Sequence, residues 1–311
     1  MKVSKVDIRD AFFEEIYNLG KRDKNVLFIS DDLDAFVLRK FKKDFPEQFI
    51  NIGVAEQNMI DVSAGLAASG KKVFCYGICS YVTLRCFEQI KFSVCSMNLP
   101  VTIIGVGAGF SFSFDGPTHH GVMDIGAMRI LPEITIYNPC DNKTAAFSVQ
   151  SSYKMNGPSY IRLDKGCFPN FYKNSRDFKN GFSILRGLRS VNVISTGYMT
   201  SRAFEVCEEL VTRGIDVGLI DVFRLKPVSM ELADILKKSS KLITIEENSE
   251  IGGLGTIVAD IISQAKNKIT LNKLAVADKQ FSVFGSREWL LLQNGLDNRS
   301  LTKEISRYAK E

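Results

Sequence analysis

Residues 71–106 read KKVFCYGICSYVTLRCFEQIKFSVCSMNLPVTIIGV. Val73 to Tyr76 and Val101 to Gly105 are short, continuous apolar runs, and Tyr81 to Cys95 between them reads as a helix. Strands that are apolar throughout, rather than at alternate positions, are buried on both faces, as in a parallel sheet covered by helices. The same rhythm continues outward. Upstream, a helix over Ser4 to Gly20 opens on a capping box of Ser4 and Asp7. Strand Val26 to Ser30 ends in the polar turn Asp31–Asp32, followed by helix Ala35 to Lys43, strand Phe49 to Ile52 and helix Ala55 to Ser69. Downstream come a Gly/Ser/Phe loop (Gly107 to Gly121), a helix near Met123, strand Thr135 to Tyr137, helix Asn142 to Met155 and strand Ser159 to Leu163.

The rhythm lapses in the polar, turn-rich stretch KGCFPNFYKNSRDFKNG and resumes at Val191. Strands Val191 to Ser195, Asp216 to Asp221 and Leu242 to Glu246 then alternate with helices Ser201 to Arg213, Ser229 to Lys238, one opened by Gly252-Gly253-Leu254-Gly255, and a last one near Leu301 to Ala309. The expected organisation is an α/β chain with a parallel-sheet domain over 1–166, a linker over 167–188 and a smaller α/β domain over 189–311. The length of 311 residues suits two domains.

Charge and composition exclude several classes. Forty basic against 35 acidic residues leave a net charge of +5, spread without the stripe that nucleic acid would need. No apolar run approaches the 18 or so residues of a membrane helix, and the first residues carry both charge signs, unlike a secretory signal. The seven cysteines show no CxxC pairing, so they read as small buried hydrophobes in the reducing cytoplasm and not as a metal site.

Ligands of such sheets sit beyond the carboxyl ends of the strands. Glu56 in GVAEQNM lies there, in the first turn of a helix. An acid at that position can simply complement the helix dipole. The apolar neighbours Ile52, Val54, Met59 and Ile60 equally suit a desolvated acid that exchanges its proton near neutrality. Tyr81, at another helix start, can offer a flat face to a heterocycle or belong to the core with Phe87. In DGPTHHG, Asp115 stands beside His119 and His120, the two histidines of the chain. Imidazole handles protons near pH 7, which points to a substrate-facing site.

GVAEQNM, SYVTLRCFEQI, DGPTHHG, PSYIRLDKG and TIEENSEIGGLG together resemble the C-terminal half of the transketolase family of thiamine-diphosphate enzymes, in order and along essentially the whole chain. The resemblance implies a pyrimidine-binding domain followed by a transketolase C-terminal domain. It implies that Glu56 hydrogen-bonds the aminopyrimidine of thiamine diphosphate and favours its imino tautomer, with Gln57 beside it. Tyr81, with Phe87 as the fallback, would stack on that ring. Asp115 and His119 would hydrogen-bond hydroxyls near the reacting carbons of the donor ketose, while His120 replaces a common Gln. Arg162, with Lys165, would hold the far phosphate of the substrate.

Two departures qualify the resemblance. No Gly-Asp-Gly is present, so the motif that holds Mg²⁺ and the diphosphate is expected on a separate N-terminal-half subunit. The pair would share the cofactor, assemble as a heterotetramer, and act on small sugars in carbohydrate metabolism. The loop Val106 to Phe114 also lacks the basic residue of phosphosugar-using relatives, which points to a phosphate held differently or a modified sugar. The implied activity is transfer of a two-carbon ketol unit. The alternatives are the β subunit of a 2-oxo-acid dehydrogenase, disfavoured by the polar DGPTHHG motif, and a non-catalytic partner, disfavoured by retention of Glu56, Asp115 and His119. A deoxyxylulose-phosphate synthase is disfavoured because those are normally single long chains.

Overall fold

The computed structural model describes residues 3–172 and 178–311. Two sheets are present. The first is built from β1 (Val26–Ser30), β2 (Phe49–Asn51), β3 (Lys72–Ile78), β4 (Val101–Val106), β5 (Thr135–Tyr137) and β6 (Ser159–Leu163). These six are parallel, in the order β5-β6-β4-β3-β1-β2. Every residue of β1, β4 and β6 is buried, as their unbroken apolar character requires. The order reverses at β1, where β2 lies on one side and β3 on the other. That is the switch point at which open parallel sheets form their ligand crevice. Ser30 is in register with Asn51 and Tyr76, so β1 and β2 end level while β3 runs two residues further, to Ile78.

Helices cover both faces. α1 (Ile8–Arg22) buries Ile8, Phe12, Phe13, Ile16 and Leu19, and Phe13 meets Tyr76 edge-on with ring centroids 5.0 Å apart. Its start differs from the expected capping box. Asp7 is the cap and accepts the Arg9 N–H at 2.8 Å, whereas the Ser4 hydroxyl bonds to the Val6 backbone and accepts the Asn142 amide at 3.0 Å. The cap lies next to the first apolar contact, so the helix begins at Ile8. α2 (Phe36–Asp44) and α3 (Glu56–Ala68) follow, and α3 presents Met59, Ile60, Ser63, Ala64 and Ala67 to the sheet.

Residues 81–95 are helical but not uniform: widened turns at Tyr81–Arg85 and Ile90–Cys95 flank a regular turn at Phe87–Gln89. Such widened turns recur at functional sites because they re-aim side chains.

The second sheet comprises β7 (Phe182–Arg186), β8 (Val191–Ser195), β9 (Gly218–Val222), β11 (Lys241–Ser249) and β12 (Thr270–Val276). Its order is β12-β11-β8-β9-β7, parallel except for β7. β7 falls inside the stretch expected to be linker, of which residues 173–177 lie outside the described residues. A further short strand, β10 (Arg224–Lys226), leaves the second sheet and joins the first, antiparallel to β5.

Buried ions bind the two halves. Arg162, at the end of β6, donates through Nε to Asp124 (2.9 Å) and through Nη2 to the carbonyls of Gly121 and Glu247 (2.9 Å to the latter). Arg287 donates to Asp164 (2.7 Å) and to both oxygens of Glu247, whose Oε1 also accepts the Phe110 N–H at 3.2 Å. Glu247 thereby fixes the loop after β4. Gly109 makes that approach possible: its φ is +60°, and a β-carbon there would stand 2.3 Å from Glu247 Oε2. Gly109→Ala is expected to cost roughly 1–3 kcal/mol from backbone conformation alone, with the clash added. It should appear as a lowered urea midpoint at unchanged slope.

Three buried acids set a pH dependence. Burial pushes Asp31, Asp221 and Glu246 up to about 7. Asp221 accepts the hydroxyls of Thr200 and Tyr172, both at 2.6 Å, and Glu246 accepts the N–H groups of Leu254 and Gly255, both at 2.7 Å. These bonds favour the charged forms but do not offset burial. The folded state therefore binds more protons than the unfolded chain from about pH 4 to about pH 7, and stability falls as pH rises through that window. The urea midpoint is expected to be higher at pH 5 than at pH 8, and Asp221→Asn should reduce the slope against pH.

Candidate active site

At the switch point Glu56 opens α3, directly beyond β2. Its side chain is 3% exposed, and Oε2 accepts Arg85 Nη1 at 2.7 Å. A buried carboxylate needs such a partner, because an isolated charge would not remain ionised there. Arg85 in turn lies over the Tyr81 ring, its guanidinium carbon 4.2 Å from the centroid. The widened turn at Tyr81–Arg85 stacks the cation on the aromatic face.

Tyr81 meets His119 edge-on, with ring centroids 5.2 Å apart and the phenol oxygen 3.4 Å from Nδ1. Thr118 Oγ1 lies 2.9 Å from the same nitrogen. With Nδ1 so occupied, Nε2 of His119 is the atom left open to a ligand. The turn carrying His119 is tied down where Ser80 Oγ donates to the Thr118 carbonyl at 2.6 Å. Phe112 packs against the other side of His119 at 6.3 Å, and Lys165 Nζ sits 5.7 Å from the Phe112 centroid. Glu56, Arg85, Tyr81, His119, Phe112 and Lys165 thus form one continuous strip along the carboxyl ends of β2, β3, β4 and β6.

Several residues singled out from sequence lie elsewhere. Phe87 is half-buried in the apolar cluster beneath the sheet, on a different face of its helix from Tyr81. His120 is buried and turned from the strip: it meets Phe110 edge-on at 5.1 Å, and Nε2 lies 3.4 Å from the Ser113 carbonyl. Burial lowers its pKa, which keeps it neutral at pH 7. Arg162 is the clearest correction. It is 3% exposed with every donor nitrogen bonded within the protein, so it is a structural tie and not a free phosphate ligand.

Gln57 is exposed beside Glu56, and Asp115 is exposed in the short turn Ser113–Asp115 before Gly116. Both side chains are open to a ligand. One residue of the strip was missed from sequence. Arg85 stands four places after Tyr81, a helical spacing that pairs side chains on one face. Among the described residues no three His, Cys, Asp or Glu side chains converge on a metal position, and no helix is long and apolar enough to cross a membrane.

Residues 4–170 match the family described as transketolase, pyrimidine binding domain, and residues 182–294 match transketolase, C-terminal domain. The chain is 30% identical over 309 residues to one of the subunits of an apulose-4-phosphate transketolase from Phocaeicola vulgatus, covering 97% of each. It is 30% identical over 307 residues to the 6-deoxy-6-sulfo-D-fructose transketolase subunit SqwH from Clostridium sp. (strain MSTE9), covering 98% of this chain and 94% of that one. Among solved structures, a split-gene transketolase described as an inactive beta4 tetramer matches with 30% identity and a TM-score of 0.86, covering 99% of both chains.

Proposed function

This chain belongs to the transketolase family, and from that premise we propose that it is the pyrimidine-binding subunit of a split transketolase acting on a specialised sugar. The strip from Glu56 to Lys165 carries the reading. It offers a buried carboxyl with one oxygen unbonded among the described residues, a flat aromatic ring and an open imidazole nitrogen. That donor set suits the aminopyrimidine end of thiamine diphosphate. When bound, thiamine diphosphate supplies the carbanion chemistry.

This chain's part is then specific. Glu56 holds a proton against the pyrimidine ring nitrogen, oriented by Arg85, with Gln57 at the rim. Tyr81 bounds the ring position. His119, through Nε2, exchanges hydrogen bonds with a sugar hydroxyl at the reacting carbons, and Asp115 serves a neighbouring hydroxyl. The anionic end of the sugar falls to Lys165, since Arg162 is committed inside the protein.

Mg²⁺ and the diphosphate belong, on this reading, to a separate N-terminal-half subunit. Val54, Leu84 and Phe114 support this: each lies within two positions of a site residue in sequence, and they are exposed by 76%, 44% and 71%. Apolar groups so placed favour a covering surface. The inactivity of a relative's beta-only tetramer also supports it, as does the naming of another relative as one subunit of a transketolase. We take the complete assembly to be a heterotetramer. The free cysteines, six of seven buried, suit the cytoplasm.

The test is co-expression with a diphosphate-binding subunit, followed by measurement of thiamine-diphosphate binding and ketol transfer. Donors should include xylulose 5-phosphate, a sulfonated ketose and an uncharged ketose. Transfer by the pair, and not by this chain alone, is the expected result. Equally tight cofactor binding by the isolated chain with Mg²⁺ would overturn the split-site reading.

A further inference from the structure

Gly107 opens the loop that follows β4, with φ at +94°. The Phe112 ring lies directly on it: a β-carbon at Gly107 would stand 2.3 Å from one ring carbon and 2.7 Å from the next. Only glycine permits that approach. From Val106 to Phe114 the loop carries no basic residue, and the space over its first glycine is filled by an aromatic ring.

The backbone pins the ring there. The Phe112 carbonyl accepts the Asp115 N–H at 3.2 Å, and the Ser111 N–H donates to the Ala108 carbonyl at 3.1 Å. Gly109 and Gly121 exchange both of their backbone hydrogen bonds, at 2.8 and 2.9 Å, across the neck of the loop. Phe112 is half-buried against the apolar cluster that contains Val106 and Leu163. Two groups assigned to the sugar border it: His119, edge-on with ring centroids 6.3 Å apart, and Lys165, with Nζ 5.7 Å from the ring centroid.

A ketose reaching from His119 to Lys165 passes this ring. The face of an aromatic ring is negative, so a phosphate laid on it meets repulsion. A hydroxyl there gives up water without a full replacement. A methyl or methylene group loses nothing and gains dispersion contacts. The same negative face attracts the Lys165 ammonium, which keeps that cation at the border of the ring.

We infer that Phe112 is a specificity-determining residue, a role that rests on the proposed function. It selects a donor ketose that lays a carbon free of hydroxyl on the ring, beyond the reacting carbons at His119, with any anionic end further out at Lys165. The substrate class is thereby a deoxy ketose.

In the experiment, the chain assembled with a diphosphate-binding subunit is given D-xylulose or 5-deoxy-D-xylulose, uncharged donors that differ by one hydroxyl. Wild type is expected to show a kcat/KM roughly tenfold higher for the deoxy ketose, the low end of what one group in an apolar pocket discriminates. Phe112→Ala should bring that ratio close to one. Damage to the fold alone would lower both rates together and leave the ratio, so the ratio reports contact between ring and substrate. Saturation-transfer NMR without an acceptor sugar reads the same contact independently of turnover. Irradiating the aromatic protons of the wild-type assembly should pass saturation to the C5 methyl of 5-deoxy-D-xylulose, and Phe112→Ala should remove most of it. Equal kcat/KM for the two ketoses in wild type, a ratio unmoved by Phe112→Ala, or no saturation reaching the C5 methyl overturns the inference. Should Phe112→Ala not fold, the wild-type ratio and spectra decide alone. An assembly that passes saturation to the methyl but transfers from neither ketose would sink the functional reading and leave the ring contact standing.

Discussion

Glu56→Gln is expected to lower kcat for ketol transfer in the assembled enzyme by about 10²- to 10⁴-fold, the usual contribution of a positioned proton donor. The substitution removes the exchangeable proton and little else. The amide oxygen of glutamine can still accept Arg85 Nη1, now 2.7 Å from Glu56 Oε2, and the side chain keeps its length in a site that is 3% exposed. The thermal midpoint should therefore stay within roughly 3 °C of wild type, the shift that a change of about 1 kcal/mol produces. Cofactor binding, followed by quenching of the intrinsic fluorescence, should weaken far less than turnover. Retention of more than a tenth of the wild-type rate would remove Glu56 from the chemistry.

Arg162→Met should act in the opposite way, on stability and not on substrate affinity. Removing one member of a fully buried ion pair strands the other, at a cost of about 3–5 kcal/mol. Asp124 is 1% exposed, and without Arg162 it loses its cation and keeps the Tyr160 hydroxyl, at 2.7 Å, as a neutral donor. The carbonyls of Gly121 and Glu247 lose donors as well. The midpoint is expected to fall on the order of 10 °C, and Asp124→Asn added to Arg162→Met should recover part of the loss by removing the stranded charge. KM for a phosphorylated donor, relative to an uncharged one, should not change. A rise in that ratio at an unchanged midpoint would return Arg162 to the substrate.

The parallel core was legible because burial on both faces writes itself as unbroken apolar runs, as in VLFIS and VTIIG. The strands that escaped notice lack that signature. β10 is three residues long and pairs out of chain order, and β12, at a sheet edge with Thr270 and Lys273 exposed, mixes polar and apolar positions. Glu56, Tyr81 and His119 were readable as a site because each sits at a strand's carboxyl end in a recognisable motif. Arg162 sits at such an end too, but its assignment turned on partners 38 and 85 positions away, a separation no local pattern encodes.

The loan of β10 to the first sheet has a consequence for how the molecule comes apart. Hydrogen bonds from the second half complete the β5 edge of the first, so neither half can melt without fraying the other. Calorimetry should register one cooperative endotherm in place of two. Proteolytic removal of everything beyond residue 180 would leave a bare strand edge, open to pairing with other chains.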